Sequence, residues 1–202
     1  MSRALPSLFA ISDVGGVSVE RHLERAAALH ASLGARLGLV VRERQMPARD
    51  LMRLIAGLRT AAPLATLLVA GRADVAALTA DGVHLGERDL PVGEARRIVG
   101  GKLVTRAAHA DTPEDELSRA DALFVSPIFA TPGKGVPRGA EALRAGRRFG
   151  IPLVALGGIG ADEVAPCFEA GAAAVAVRRA WLRADACSGL VRAVEAASRT
   201  SC

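Results

Sequence analysis

Eight short apolar runs alternate with eight amphipathic stretches from one end of the chain to the other, and this alternation is the strongest constraint on the fold. The apolar runs span 8–12, 37–41, 64–69, 82–85, 102–105, 122–125, 152–156 and 173–177. Helical patterning fills 19–33, 48–61, a short piece from Asp74, 91–99, 112–120, 139–149, 161–170 and a last stretch ending near Ser198. Ser18 is placed to cap the first helix; Pro47 opens the second and Pro63 lies just beyond its end. Runs such as Leu37-Gly38-Leu39-Val40-Val41 do not alternate apolar with polar, as expected of parallel strands buried on both faces. Eight strand–helix units can close into a (β/α)8 TIM barrel, and residues 1–202 are expected to form one such domain. The competing arrangement is a doubly wound open sheet.

Composition narrows the functional classes. Half of the 202 residues are hydrophobic and only 3% are aromatic, with no Tyr, so the core must be built from Ala, Val, Leu and Ile. The net charge of +5 comes largely from arginines scattered singly along helices, such as Arg21, Arg25, Arg53, Arg59, Arg96 and Arg97. No basic run interleaves with aromatics, which argues against a nucleic-acid partner and assigns these arginines to solvated helix faces. Three cysteines, Cys167, Cys187 and Cys202, are too few for a disulfide framework. No leader and no apolar run of about 18 residues is present, so a cytoplasmic protein without a membrane partner is expected. Apolar positions on barrel helices are compatible with a homodimer.

In a barrel of this kind the chemistry belongs to the loops that follow the strands. Arg42-Glu43-Arg44 follows the second strand, where cations suit an anionic ligand; a plain surface turn is the alternative. His84, on the fourth strand, is either a core histidine or, with Asp89 five residues on, a metal or polar-ligand residue. The loop Ser126 to Gly135 after the sixth strand carries Thr131 and Lys134, both able to hold phosphate oxygens. After the seventh strand, Gly157-Gly158-Ile159-Gly160 leads into a helix, a pattern that lets backbone N–H groups approach a phosphate. A small phosphorylated substrate is therefore expected.

These motifs resemble those of the thiamine phosphate synthase family, which includes the thiazole tautomerase TenI. The resemblance runs from Leu8 to about Leu182 and rests on Arg42-Glu43-Arg44, on Ala80 to Gly86 with Asp89, on Ser126 to Lys134, and on Ala155-Leu156-Gly157-Gly158-Ile159. It implies a reaction in which pyrophosphate leaves a hydroxymethylpyrimidine diphosphate and the nitrogen of a thiazole phosphate captures the pyrimidine cation. It also implies Mg²⁺, with Asp89 as a ligand. Arg42, Arg44, Thr131 and Lys134 would hold pyrophosphate, His84 would contact substrate, and Gly157 and Gly158 would take the thiazole phosphate.

The chain departs from the family pattern at several of these points. Where the synthase has Asn-Asp-Arg after the third strand, this chain has Ala70-Gly71-Arg72, and Gly71 cannot ligate a hard cation that wants oxygen. Ser12-Asp13-Val14 stands for Thr-Asp-Arg, Arg44 for a lysine and Ala107 for a serine. Pro127 replaces the histidine associated with tautomerase chemistry, leaving His109 as a candidate proton-transfer group. Three functions stay open on these residues: the synthase reaction, a TenI-like isomerisation that needs no metal, and a catalytically silent barrel that binds phosphorylated thiamine intermediates.

Overall fold

Parallel hydrogen bonding between the first strand and the last closes the sheet, with Leu8 opposite Val175, Phe9 opposite Ala176 and Ala10 opposite Val177. The computed structural model describes residues 4–108 and 112–200. The strands β1 (Leu8–Ile11), β2 (Leu37–Val41), β3 (Thr66–Ala70), β4 (Gly82–Leu85), β5 (Leu103–Ala108), β6 (Ala122–Val125), β7 (Leu153–Leu156) and β8 (Ala174–Val177) pair in chain order. Every pairing is parallel. The helices α1 (Val19–Leu33), α2 (Ala48–Ala61), α3 (Ala73–Thr79), α4 (Val92–Val99), α5 (Glu114–Ser118), α6 (Glu141–Gly146), α7 (Val164–Glu169) and α8 (Ala184–Thr200) fall between and after the strands. This is the expected (β/α)8 barrel, not an open sheet.

Two apolar layers follow from the pleat of the strands, which sends successive side chains to opposite faces. Phe9, Ile11, Val40, Leu68, Phe124 and Val154 fill the barrel interior, while Leu8, Leu37, Leu39, Leu67 and Leu123 pack outward in the layer shared with the helices. Phe9 and Phe124 meet edge to face at 5.2 Å. Phe9 fits because β2 offers Gly38 opposite it; a Cβ there would lie 2.3 Å from the ring. Burial pushes the Cys167 thiol up to about 12, which leaves it a packing residue and not a nucleophile.

Several boundaries differ from the sequence expectation for physical reasons. The seventh helix was expected over 161–170 but α7 begins at Val164. Pro166 accounts for this, since a proline is tolerated in the first helical turn and not further in. β5 continues through Arg106, which a sequence reading takes as the end of an apolar run. Its buried guanidinium instead donates to the carbonyls of Gly86 and Leu90 at 3.0 and 3.2 Å, fastening the loop after β4.

Two of the arginines assigned to solvated faces have a different role. Arg59 of α2 donates to Asp81 at 2.6 Å, and the same carboxylate accepts the Leu67 N–H at 2.8 Å. Arg96 of α4 repeats the arrangement with Asp121 at 3.0 Å, which accepts the Val104 N–H at 2.7 Å. Both pairs clamp a helix end to the N-terminal end of the barrel. Replacing Asp121 with Ala leaves the Val104 N–H and the Arg96 fork short of an acceptor and should cost about 1–2 kcal/mol of unfolding free energy. Denaturant titration checks this, and anion binding at the opposite end should be unchanged.

Candidate functional site

Because all strands run the same way, the loops that follow them share one rim, and the sequence-derived candidates in the described residues all fall on or just below it. His109 lies outside the described residues. The rim is organised by Glu43, which turns toward the loop after β1. Its carboxylate accepts from Ser12 Oγ at 2.5 Å and from the Val14 N–H at 3.0 Å, and Ser12 Oγ in turn accepts the Arg42 N–H at 2.9 Å. Beneath this loop the buried His22 of α1 accepts the Asp13 N–H through Nε2 at 3.0 Å. A backbone N–H can only donate, so Nδ1 carries the proton that meets the Ser18 carbonyl at 2.8 Å. The His22 ring packs edge to face on Trp181, whose indole N–H donates to the Ile11 carbonyl at 2.9 Å. None of this support was signalled by sequence spacing.

Arg44 reaches across to the loop after β4. Its Nη1 and Nη2 donate to the two oxygens of Asp89 at 2.5 and 2.6 Å, and the Gly86 N–H donates to Asp89 Oδ2 at 2.6 Å. Burial works against the charged Asp89 carboxylate, but the Arg44 fork and the Gly86 N–H outweigh it and hold its pKa below the ordinary value. The Asp89 side chain is 8% exposed, whereas Arg44 is 40% exposed.

A cation that sequence reasoning missed completes this side of the rim. Arg178, the residue after β8, donates to Asp13 Oδ1 at 3.0 Å. It puts a guanidinium beside the loop where Val14 stands in place of the family's arginine. The Arg42 guanidinium makes no hydrogen bond or ion pair among the described residues. Partial burial and the neighbouring cations Arg178 and Arg44 depress its pKa, against the pull of Asp13 and Glu43. The rule that flagged Arg42, a charge directly after an apolar strand, would also have found Arg178.

The other side of the rim is the contact between the loops after β6 and β7. Ile128 N–H donates to the Leu156 carbonyl at 3.0 Å and Phe129 N–H to the Gly157 carbonyl at 3.0 Å. Gly157 and Gly158 have φ of 103° and 68°, and a Cβ on Gly158 would come within 2.7 Å of both the Ala130 carbonyl and Phe129. Their glycine character thus serves this loop contact, which brings Thr131 Oγ1 beside Gly157. Lys134 follows in the same turn, with its N–H on the Thr131 carbonyl at 3.1 Å. The expected direct entry from the glycines into a helix is interrupted, because Glu163 caps the Gly160 N–H at 2.9 Å before α7 starts.

His84 forms the floor. Its ring lies tilted at 52° against Phe124 with centroids 4.4 Å apart, and its Nδ1 lies 3.0 Å from Thr105 Oγ1. Loss of solvent, together with the Arg44, Arg106 and Arg42 charges and against the pull of Asp89, pushes its pKa down to about 4. The ring is neutral at physiological pH and suits a flat apolar or hydrogen-bonding ligand face better than an anion.

A magnesium ion does not fit these residues. Both Asp89 oxygens already accept hydrogen bonds, and Gly71 brings no side-chain oxygen. Among the described residues, no three His, Cys, Asp or Glu side chains come together as metal ligands. A divalent cation would have to break the Arg44–Asp89 fork to reach a carboxylate oxygen, so no step is routed through a metal here.

A closed cylinder of eight parallel strands with arginines and a glycine turn on its C-terminal rim is a (β/α)8 barrel with a cationic mouth. The sequence matches the TMP-TENI family, thiamine monophosphate synthase, over residues 9–181, and the chain belongs to that family. A thiamine-phosphate synthase of Chloroflexus aurantiacus is 38% identical over 190 residues, covering 91% of this chain and 80% of that protein. Another, of Moorella thermoacetica, is 40% identical over 157 residues, covering 73% and 75%. A thiamine phosphate pyrophosphorylase of Pyrococcus furiosus superposes with a TM-score of 0.79 at 27% identity, covering 96% of this chain and 98% of that one.

The depressed His84 pKa makes stability depend on pH. Between the unfolded value near 6.5 and the folded value of about 4 the unfolded chain binds the extra proton, so stability falls as pH drops through that window. Wild type should lose about 2 kcal/mol more than His84→Gln between roughly pH 7.5 and pH 5. Denaturant midpoints of both proteins at the two pH values give the difference.

Proposed function

We propose that this barrel forms thiamine phosphate from a hydroxymethylpyrimidine diphosphate and a thiazole phosphate, releasing pyrophosphate. The observation that carries the reading is the arc of Arg42, Arg44 and Arg178 on the rim of a family barrel, where a diphosphate leaving group needs its charge met. In the reaction the methylene C–O bond of the pyrimidine breaks with its electron pair going to pyrophosphate. The thiazole nitrogen lone pair then forms the new C–N bond to the resulting cation.

Arg42 has the largest part in holding the leaving group, because among the described residues its guanidinium is not committed to a carboxylate. Lys134 adds an ammonium from the loop after β6; the neighbouring Thr131 hydroxyl donates to the Phe129 carbonyl at 2.9 Å and would have to turn from it to meet a phosphate oxygen. The Gly157-Gly158 turn takes the thiazole phosphate, and the neutral His84 ring, backed by the buried Phe124, offers an uncharged floor for an aromatic ring. Asp89 in this reading holds Arg44 and is not a metal ligand. The free, buried thiols of Cys167 and Cys187 suit a reducing, cytoplasmic compartment. No helix among the described residues is long and apolar enough to cross a membrane.

One observation favours a second reading. The commitment of Asp89 to Arg44, with Gly71 beside it, equally suits a metal-independent isomerisation of a thiazole phosphate.

Incubating the purified protein with both phosphorylated precursors should yield thiamine phosphate, detected by chromatography. Arg42→Ala should lower kcat/KM by about 10- to 100-fold, the loss of one charge-assisted contact to the leaving group. Interconversion of thiazole isomers without any coupled product would replace this reading by the second.

A further inference from the structure

The Arg44–Asp89 fork lies in a slot built for it. Gly71 flanks one half: a Cβ on it would lie 2.7 Å from Arg44 Nη1 and 2.8 Å from Asp89 Oδ1. Gly86 flanks the other, where a Cβ would lie 2.9 Å from Arg44 Nη2 and 3.2 Å from Asp89 Oδ2. Gly71 also has φ +71°, a backbone conformation that disfavours most side chains. A side chain at either position would displace the guanidinium. The two glycines, the bidentate contact and the Gly86 N–H therefore fix Arg44 as one unit.

We propose that the clamped Arg44 guanidinium takes the place that a divalent cation would occupy in this mouth, so that Arg44, Arg42 and Arg178 bind a diphosphate directly and without metal. Arg44 uses one N–H of each terminal nitrogen on Asp89; its remaining N–H groups have no hydrogen-bond partner among the described residues, and the 40% exposed side chain can offer them to phosphate oxygens. Planar guanidinium forks match phosphate geometry, and a guanidinium is desolvated at lower cost than a compact ion. Asp89 and Asp13 offset the charges of Arg44 and Arg178, so the uncompensated attraction comes chiefly from Arg42. The two paired arginines then supply directed donors more than net charge.

This inference rests on the proposed function only in taking the anion to be a diphosphate. Inorganic pyrophosphate, used as the probe, separates the two: anion binding can hold while thiamine phosphate formation fails, and the reverse. Calorimetry of the full chain with pyrophosphate should give a dissociation constant that changes less than about threefold between excess EDTA and a small excess of Mg²⁺. Arg178→Ala should weaken metal-free binding by about tenfold, a typical loss for one charge-assisted contact. The double variant Arg44→Lys/Gly71→Asp removes the fork and adds an oxygen beside Asp89, and its binding should become at least about tenfold stronger with Mg²⁺. Should that variant fail to fold, the wild-type comparison decides alone. Tenfold or greater strengthening of wild-type binding by Mg²⁺, or no pyrophosphate binding under either condition, overturns the proposal.

Discussion

Closure of β1 onto β8 is the constraint on which the rest of the molecule depends. It leaves no free sheet edge, and it forces every strand to end at the same rim. Arg42 and Arg44 after β2, Asp89 after β4, Thr131 after β6, the glycine turn after β7 and Arg178 after β8 share one mouth only because the cylinder is closed. With so few aromatic residues, the interior is sealed by Phe9 and Phe124 meeting across it, and His84 caps that pair at the floor of the mouth. Fold and site are thus joined through the interior packing.

The two ends of the barrel use charge differently. At the N-terminal end, Arg59 with Asp81 and Arg96 with Asp121 tie helices to strand starts, and each carboxylate also satisfies a strand N–H. At the C-terminal end, the same residue types are arranged around an opening, and among the described residues the Arg42 guanidinium has no hydrogen-bonded carboxylate. Charge closes the structure at one end and surrounds an opening at the other. The chain is a member of the thiamine monophosphate synthase family, matched over residues 9–181.

Much of the fold was legible because buried parallel strands and amphipathic helices leave distinct periodicities. The bounds of β2, β4, β6, α1 and α2 follow directly from the apolar pattern, and the Ser18 cap is where the sequence places it. The pattern fails where one residue carries two meanings. Arg106 reads as the end of a strand, yet it is a buried tie to the neighbouring loop; Pro166 delays a helix that its apolar residues would start earlier. For the site, the sequence named Arg42, Arg44 and Asp89 separately but could not show that Arg44 and Asp89 are partners, because their pairing spans 45 positions of chain and depends on the space beside two glycines. Arg178 stands directly after an apolar strand as Arg42 does, so its place on the rim was legible; its pairing with Asp13, 165 positions away, was not.

The central claim is electrostatic: a fixed guanidinium, and not a metal, meets the anion at this rim. The most direct measurement is a crystal structure of the protein soaked with inorganic pyrophosphate and Mn²⁺, read by anomalous scattering. The account predicts phosphate oxygens on Arg42, Arg178 and the outer edge of Arg44, with the Arg44–Asp89 fork intact and no anomalous peak beside Asp89. A manganese peak ligated by Asp89, with Arg44 swung away, would contradict it.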